Sequence, residues 1–147
     1  MIGVSRIERF FRSAASLDVD RNDVKRLEDF VHRKLYDLLV VAQEAAGMNA
    51  RDVLMFADLP ITKGLLKCIH DFRELDEEIE LRPTMERLAT LPPLDLAIGA
   101  DIEERLPEIA GGLSLAVARS LRIIQPDLAN PSTVHWERTF RLFDLLL

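Results

Sequence analysis

Cys68, His70 and Asp71 stand together in "CIHD", residues 68–71, and a thiol, an imidazole and a carboxylate are the groups from which nucleophiles and metal sites are made. Residues two apart on a helix point to different faces, so Cys68 and His70 do not share a ligand or a proton. The three histidines, His32, His70 and His135, show no two-ligand helical spacing with a third ligand nearby. Glu77, Glu78 and Glu80 offer paired carboxylates for acid–base work, but they lie in "DFRELDEEIE", residues 71–80. Six acids against one Arg there describe a solvated helix face. No phosphate loop or dinucleotide fingerprint is present. The expectation is a protein with no catalytic residues, no metal, no cofactor and no small-molecule substrate. Cys68 has no second thiol to pair with and reads as a small buried apolar residue.

The cationic residues offer a second chemistry. Arg6, Arg9 and Arg12 recur at steps of three, which lines them along one helix face, and Arg21, Lys25 and Arg26 follow. A positive face of that kind takes phosphate, so these six are the candidate nucleic-acid-binding residues. The first 34 residues carry eight Lys or Arg against six acids. The whole chain has 25 acids, 19 Lys or Arg and a net charge of −6, which repels a polyanion over distance. Phe10 and Phe11 read as core rather than as a platform for stacking single-stranded bases. Any DNA binding is therefore expected to be weak and salt-sensitive. A further pair, Arg51 and Asp58 in "NARDVLMFADLP" (residues 49–60), sets opposite charges seven positions apart just after a long helical pattern ends.

Positioning these residues takes helices. No stretch alternates apolar and polar residues as a half-buried strand does, and the class reads as all-α. In residues 22–46, Val24, Leu27, Val31, Leu35, Leu38, Ala42 and Ala45 form one apolar stripe, on a helix of some 37 Å. Asp20 or Asn22 caps its start, and Gly47 marks a left-handed stop. "SRIERFFRSAAS" precedes it as a shorter amphipathic helix. A third helix opens near Pro60 and runs through "ITKGLLKCIHDFRELDEEIE".

The second half repeats this plan. Pro83 opens a short helix, Leu94-Asp95-Leu96 echoes Leu17-Asp18-Val19, and a second long pattern runs from Asp101 to Ile124. Val24, Val31, Leu35 and Leu39 correspond to Ile102, Ile109, Leu113 and Val117, while Arg51 and Asp58 fall on Asn130 and Glu137. Pro107 predicts a kink or a broken first turn in that helix, and Gly111 and Gly112 predict a close helix approach. Tyr36, Trp136 and Phe140 read as core. The apolar terminal segment "RLFDLLL" must close the chain's own core or bury against a second copy.

Short helix, loop, long helix, loop, short helix resembles a histone fold. In archaeal histones an Arg ending the second loop pairs with an Asp early in the last helix, seven positions on, as Arg51 and Asp58 stand here. The whole chain is similar to an uncharacterised bacterial histone-like family with two tandem histone folds in one chain, a single-chain counterpart of the histone dimer. The resemblance implies that Arg51 and Asp58 form a structural clamp. It also implies that residues 16–21 lie beside 125–133, and 92–99 beside 47–51, at the places where histone dimers hold DNA. Asp18, Asp20, Asp95 and Asp127 stand there, with Arg21 as the free cation.

The expectation is one all-α domain over 1–147, with histone-fold halves 4–80 and 81–147 forming an intramolecular pseudo-dimer. At this length and 48% hydrophobic content a single core is sustainable. No run approaches a membrane span or a signal peptide, and a soluble cytoplasmic protein is expected. The expected role is non-enzymatic, as a protein-interaction or assembly module whose partner is another protein or a second copy. The alternative is a histone-like, nucleoid-associated DNA-binding protein.

Overall fold

The computed structural model describes residues 2–91, 94 and 97–147, and it is helical nearly throughout. In chain order the elements are α1 (Ile2–Ala15), α2 (Arg21–Met48), β1 (Val53–Leu54), a 3-10 turn (Phe56–Asp58), α3 (Lys63–Ile79), α4 (Arg82–Leu88), β2 (Ala97–Ile98), α5 (Ala100–Ile124) and α6 (Thr133–Leu146). The all-α class holds. The two strands are two residues each, too short for any periodicity to reveal, and they pair parallel with Val53 opposite Ala97 and Leu54 opposite Ile98.

Asp20 starts the longest helix. Its carboxylate accepts from the Asp23 N–H at 2.8 Å while the Asp23 carboxylate accepts from the Asp20 N–H at 3.0 Å, satisfying two backbone donors that the helix would leave free. The stop is not at Gly47. Asn49 donates its side-chain amide to the Ala45 carbonyl at 2.9 Å, so α2 runs past the glycine to Met48, and Ala50 takes the left-handed conformation at φ 55°. The third helix likewise opens later than Pro60. Thr62 accepts from the Leu65 N–H at 3.2 Å and supplies the cap that sets the start at Lys63.

Helix α5 is the centre of the molecule and packs against α1, α2, α3, α4 and α6. It runs unbroken through Pro107, against the expected broken first turn. The lost backbone bond costs about 3 kcal/mol, and the burial of Ile102, Leu106, Ile109 and Leu113 on the same helix offsets it. A Cβ at Gly111 would enter the Phe72 ring and one at Gly112 would meet Ile69, so the two glycines let α3 lie directly on α5.

One apolar core runs through the molecule. Phe10, Phe11 and Trp136 are fully buried within it, and the Trp136 indole N–H donates to Asp23 at 2.8 Å. Helix α6 runs alongside α2, where Phe140 stacks on Phe30 and the buried Lys34 ammonium donates to Asp144 at 2.9 Å. Tyr36 is not core. It sits 39% exposed on the outer face of α2, one residue past buried Leu35, and Ala45 is only half-buried.

Candidate functional site

Arg51 and Asp58 meet in a two-pronged ion pair. The Arg51 guanidinium donates to both Asp58 oxygens, at 2.7 and 2.6 Å, and the Met55 N–H donates to the same carboxylate at 2.8 Å. Asp58 is only 8% exposed. Hydrogen bonding from Arg51, then from Met55, holds its carboxyl down at about 2. The pair therefore fixes the segment between α2 and α3. The same segment is tied to α5, because the Phe56 N–H donates to Asp101 at 3.0 Å and Arg105 lies over the Phe56 ring at 4.1 Å.

The second half does not repeat that pair. Asn130 and Glu137 are both exposed and share no hydrogen bond among the described residues. A different residue ties that end: Arg122 donates to the carbonyls of Ala15 (2.6 and 3.0 Å), Ser16 (3.1 Å) and Pro126 (2.7 Å). One guanidinium thus joins the end of α1, the end of α5 and the segment that follows it. Close by, the Asp18 N–H donates to the Ala129 carbonyl at 2.8 Å, which places residues 16–21 beside 125–133. The other expected neighbours shift: the pairing there is 53–54 with 97–98 rather than 47–51 with 92–99, and Asp95 lies outside the described residues.

The six candidate cations do not form one free surface. Arg6 turns to the end of α3 and donates to the carbonyls of Ile79 at 2.6 Å and Glu80 at 3.1 Å. It satisfies acceptors that a helix end leaves open, and it is lost to a phosphate. Arg12 faces Asp18 at 3.5 Å, Lys25 faces Asp29 at 3.6 Å, and Arg26 donates to the Thr133 hydroxyl at 2.8 Å. Only Arg9 and Arg21 are exposed with no partner among the described residues.

The remaining chemical candidates are dispersed or occupied. Cys68 is buried between α3 and α5, and that burial pushes its thiol up. Asp71 is held below the usual carboxylate range by Arg119 at 2.9 Å and by Lys67. His32 and His70 are exposed on separate helices. His135 caps α6, with its Nδ1 accepting from the Ser132 N–H at 2.9 Å and its Nε2 2.7 Å from the Gln125 side-chain oxygen. Among the described residues no three His, Cys, Asp or Glu side chains converge as metal ligands.

What does stand open is apolar. On α6, Trp136, Thr139 and Phe143 face inward, while Leu142, Leu145 and, at the helix end, Leu146 are exposed, the last two 78% and 73%. Ile123 at the end of α5 is 78% exposed as well. A cavity of about 490 Å³ lies between Ile124 and the α6 residues Arg138, Arg141, Leu142 and Leu145. A second, of about 420 Å³, is bounded by Thr62, Leu65, Ala116, Ser120, Phe143, Leu146 and Leu147. Of the terminal segment, Phe143 and Leu147 pack on the core, and Leu142, Leu145 and Leu146 stay at the surface.

Residues 7–144 match the family described as a domain of unknown function, DUF1931. The chain belongs to the DUF1931 family. Two curated relatives come from Aquifex aeolicus (strain VF5), both described as uncharacterized proteins. One is 28% identical over 113 residues, 77% of this chain and 66% of the relative, so the match spans slightly less than two thirds of that protein. The other is 28% identical over 134 residues, 82% of this chain and 78% of the relative. The crystal structure of ttk003001566 from Thermus thermophilus superposes with a TM-score of 0.87 at 51% identity, covering 98% of this chain and 97% of that one. Protein AQ328 from Aquifex aeolicus superposes at 0.86 with 26% identity, covering 99% and 95%.

In this DUF1931 chain the open α5–α6 surface was signalled by "RLFDLLL", whereas Arg122 carried no signal in the sequence. Its partners are backbone carbonyls, which have no residue type to recognise. No described helix is long and apolar enough to cross a membrane.

Proposed function

We propose that this DUF1931 chain consists of two histone-fold halves, 4–80 and 81–147, folded on one another as an intramolecular pseudo-dimer within one domain. Two long helices, α2 and α5, each flanked by shorter ones, support that reading. So do the crosswise contacts, β1 with β2 and Asp18 with Ala129, in which the segment beside one long helix meets the segment beside the other. The Arg51–Asp58 clamp stands where an archaeal histone carries its own.

On that frame the protein acts in the cytoplasm as a non-enzymatic protein-interaction module. The carrying observation is the exposed pair Leu142 and Leu145, which line a cavity with Ile124, an apolar surface at which Arg138 and Arg141 have no ion partner among the described residues. The test replaces Leu142 and Leu145 together by Glu and compares tagged wild type and variant recovered from their own cells. A protein bound stoichiometrically to wild type and lost from the variant, with the circular dichroism of both unchanged, is the expected result. Equal recovery by both contradicts the reading.

DNA binding is the second reading, favoured by one observation: Arg9 in the middle of α1 and Arg21 at the start of α2 are exposed and have no partner among the described residues. Two free cations neutralise few phosphates, so such binding is weak and falls steeply with salt.

A further inference from the structure

The seam between α5 and α6 is concave along its length. The two helices run antiparallel there, with Ile124 beside Arg138 and Leu142 in the first cavity, and Ala116 and Ser120 beside Leu146 and Leu147 in the second. Ala116, Ser120 and Ile124 recur every four residues, so one row of α5, about 12 Å long, floors both cavities. Two of its three side chains are small, and their size hollows the seam. At about 490 and about 420 Å³, each recess has the volume of a small-molecule pocket.

Polarity is sorted along this seam. Arg138 and Arg141, one helical turn apart, line the cavity at the Ile124 end, and neither has an ion partner among the described residues. Away from them the lining is leucine and phenylalanine, broken by the hydroxyls of Ser120 and Thr62. Among the described residues no acidic side chain lines either cavity. Such a lining complements a molecule with an anion at one end and a hydrocarbon for the rest. Its width selects further. Packed helices stand about 8–10 Å apart, so a third helix, about 10 Å across, rides over their seam, whereas a single unbranched chain enters it.

We infer that the α5–α6 seam binds a long-chain aliphatic carboxylate, its head held by Arg138 and Arg141 and its tail laid over Ser120 and Ala116 towards Leu146. A carboxylate has lone pairs enough to accept from both guanidinium groups at once, and the tail leaves water as it meets the leucines. This goes beyond the reading of the protein as an interaction module and does not rest on it. A net charge of −6 opposes the approach of an anion, which keeps the affinity modest.

Isothermal titration calorimetry of the full chain tests the site with octanoate, decanoate and dodecanoate, each below its micelle concentration. Decylammonium supplies the same kind of tail under the opposite charge. The expected result is one carboxylate per chain, a dissociation constant below about 1 mM for dodecanoate, and an affinity that rises by up to about fourfold with each added methylene. Decylammonium is expected not to bind. The double variant Arg138→Ala, Arg141→Ala weakens dodecanoate by about tenfold or more, and Ser120→Leu, which fills the floor, abolishes its binding. Circular dichroism confirms that both variants are folded. No binding of any carboxylate up to about 1 mM overturns the inference. So do equal affinities for decylammonium and decanoate, an affinity indifferent to chain length, or variants that bind like wild type. The loss or recovery of a bound protein in the Leu142/Leu145 comparison is read independently, so a failure here and a failure of the interaction reading are told apart.

Discussion

Replacing Asp58 by Ala leaves the Arg51 guanidinium and the Met55 N–H without their shared acceptor. Thermal unfolding is expected to drop by about 5 °C or more at pH 7, measured by circular dichroism. The effect carries a pH signature. Because the folded carboxyl titrates at about 2, below its ordinary 3.8, its contribution is complete above pH 4 and is lost as the pH falls from there through 2. The Asp58→Ala deficit therefore shrinks over that window. Arg122→Ala is the matching change at the other end, since it strips the partners from carbonyls of Ala15, Ser16 and Pro126, and a loss of about 2 kcal/mol in urea unfolding is expected. Arg122→Lys does not restore it, because a single ammonium does not reproduce the planar fork.

Between elements, the decisive contact is α3 on α5. At Gly112 a methyl group would lie 2.9 Å from both the N and the Cα of Ile69, and backbone atoms do not swing aside as a side chain would. Gly112→Ala is expected to destabilise by about 1–3 kcal/mol through overpacking, in spite of alanine's better helix propensity. Gly47→Ala is the control: nothing lies within 4 Å of its added carbon, so propensity alone acts and stability rises by up to about 1 kcal/mol. Equal effects at the two sites would remove the close approach from the account. The aromatic contacts of Phe30 with Phe140 and Phe143 hold α6 beside α2 by shape, alongside the Lys34–Asp144 ion pair.

At the scale of the whole molecule, the helices were legible because each buries one stripe, and a stripe writes its period into the sequence. Asp20 and the two glycines of α5 were legible because their roles need particular residue types. Gly47, Pro60 and Pro107 misled, since a cap at Asn49 or Thr62 and the burial of Ile109 and Leu113 outweigh a local preference. The arginines show the limit most clearly. Spacing places Arg6, Arg9 and Arg12 on one helix, but only the neighbouring α3 shows that Arg6 is committed to Ile79 and Glu80. The central proposal, an interaction module whose DNA-contact sites are depleted, is therefore tested most directly by a salt titration of binding to random-sequence duplex DNA. Wild type is set beside the triple variant Arg9→Ala, Arg12→Ala, Arg21→Ala. Binding no tighter than about 10⁻⁴ M near physiological salt is expected, with a slope of at most about two phosphates. Micromolar binding with a steep slope in wild type, made shallow in the variant, would contradict it.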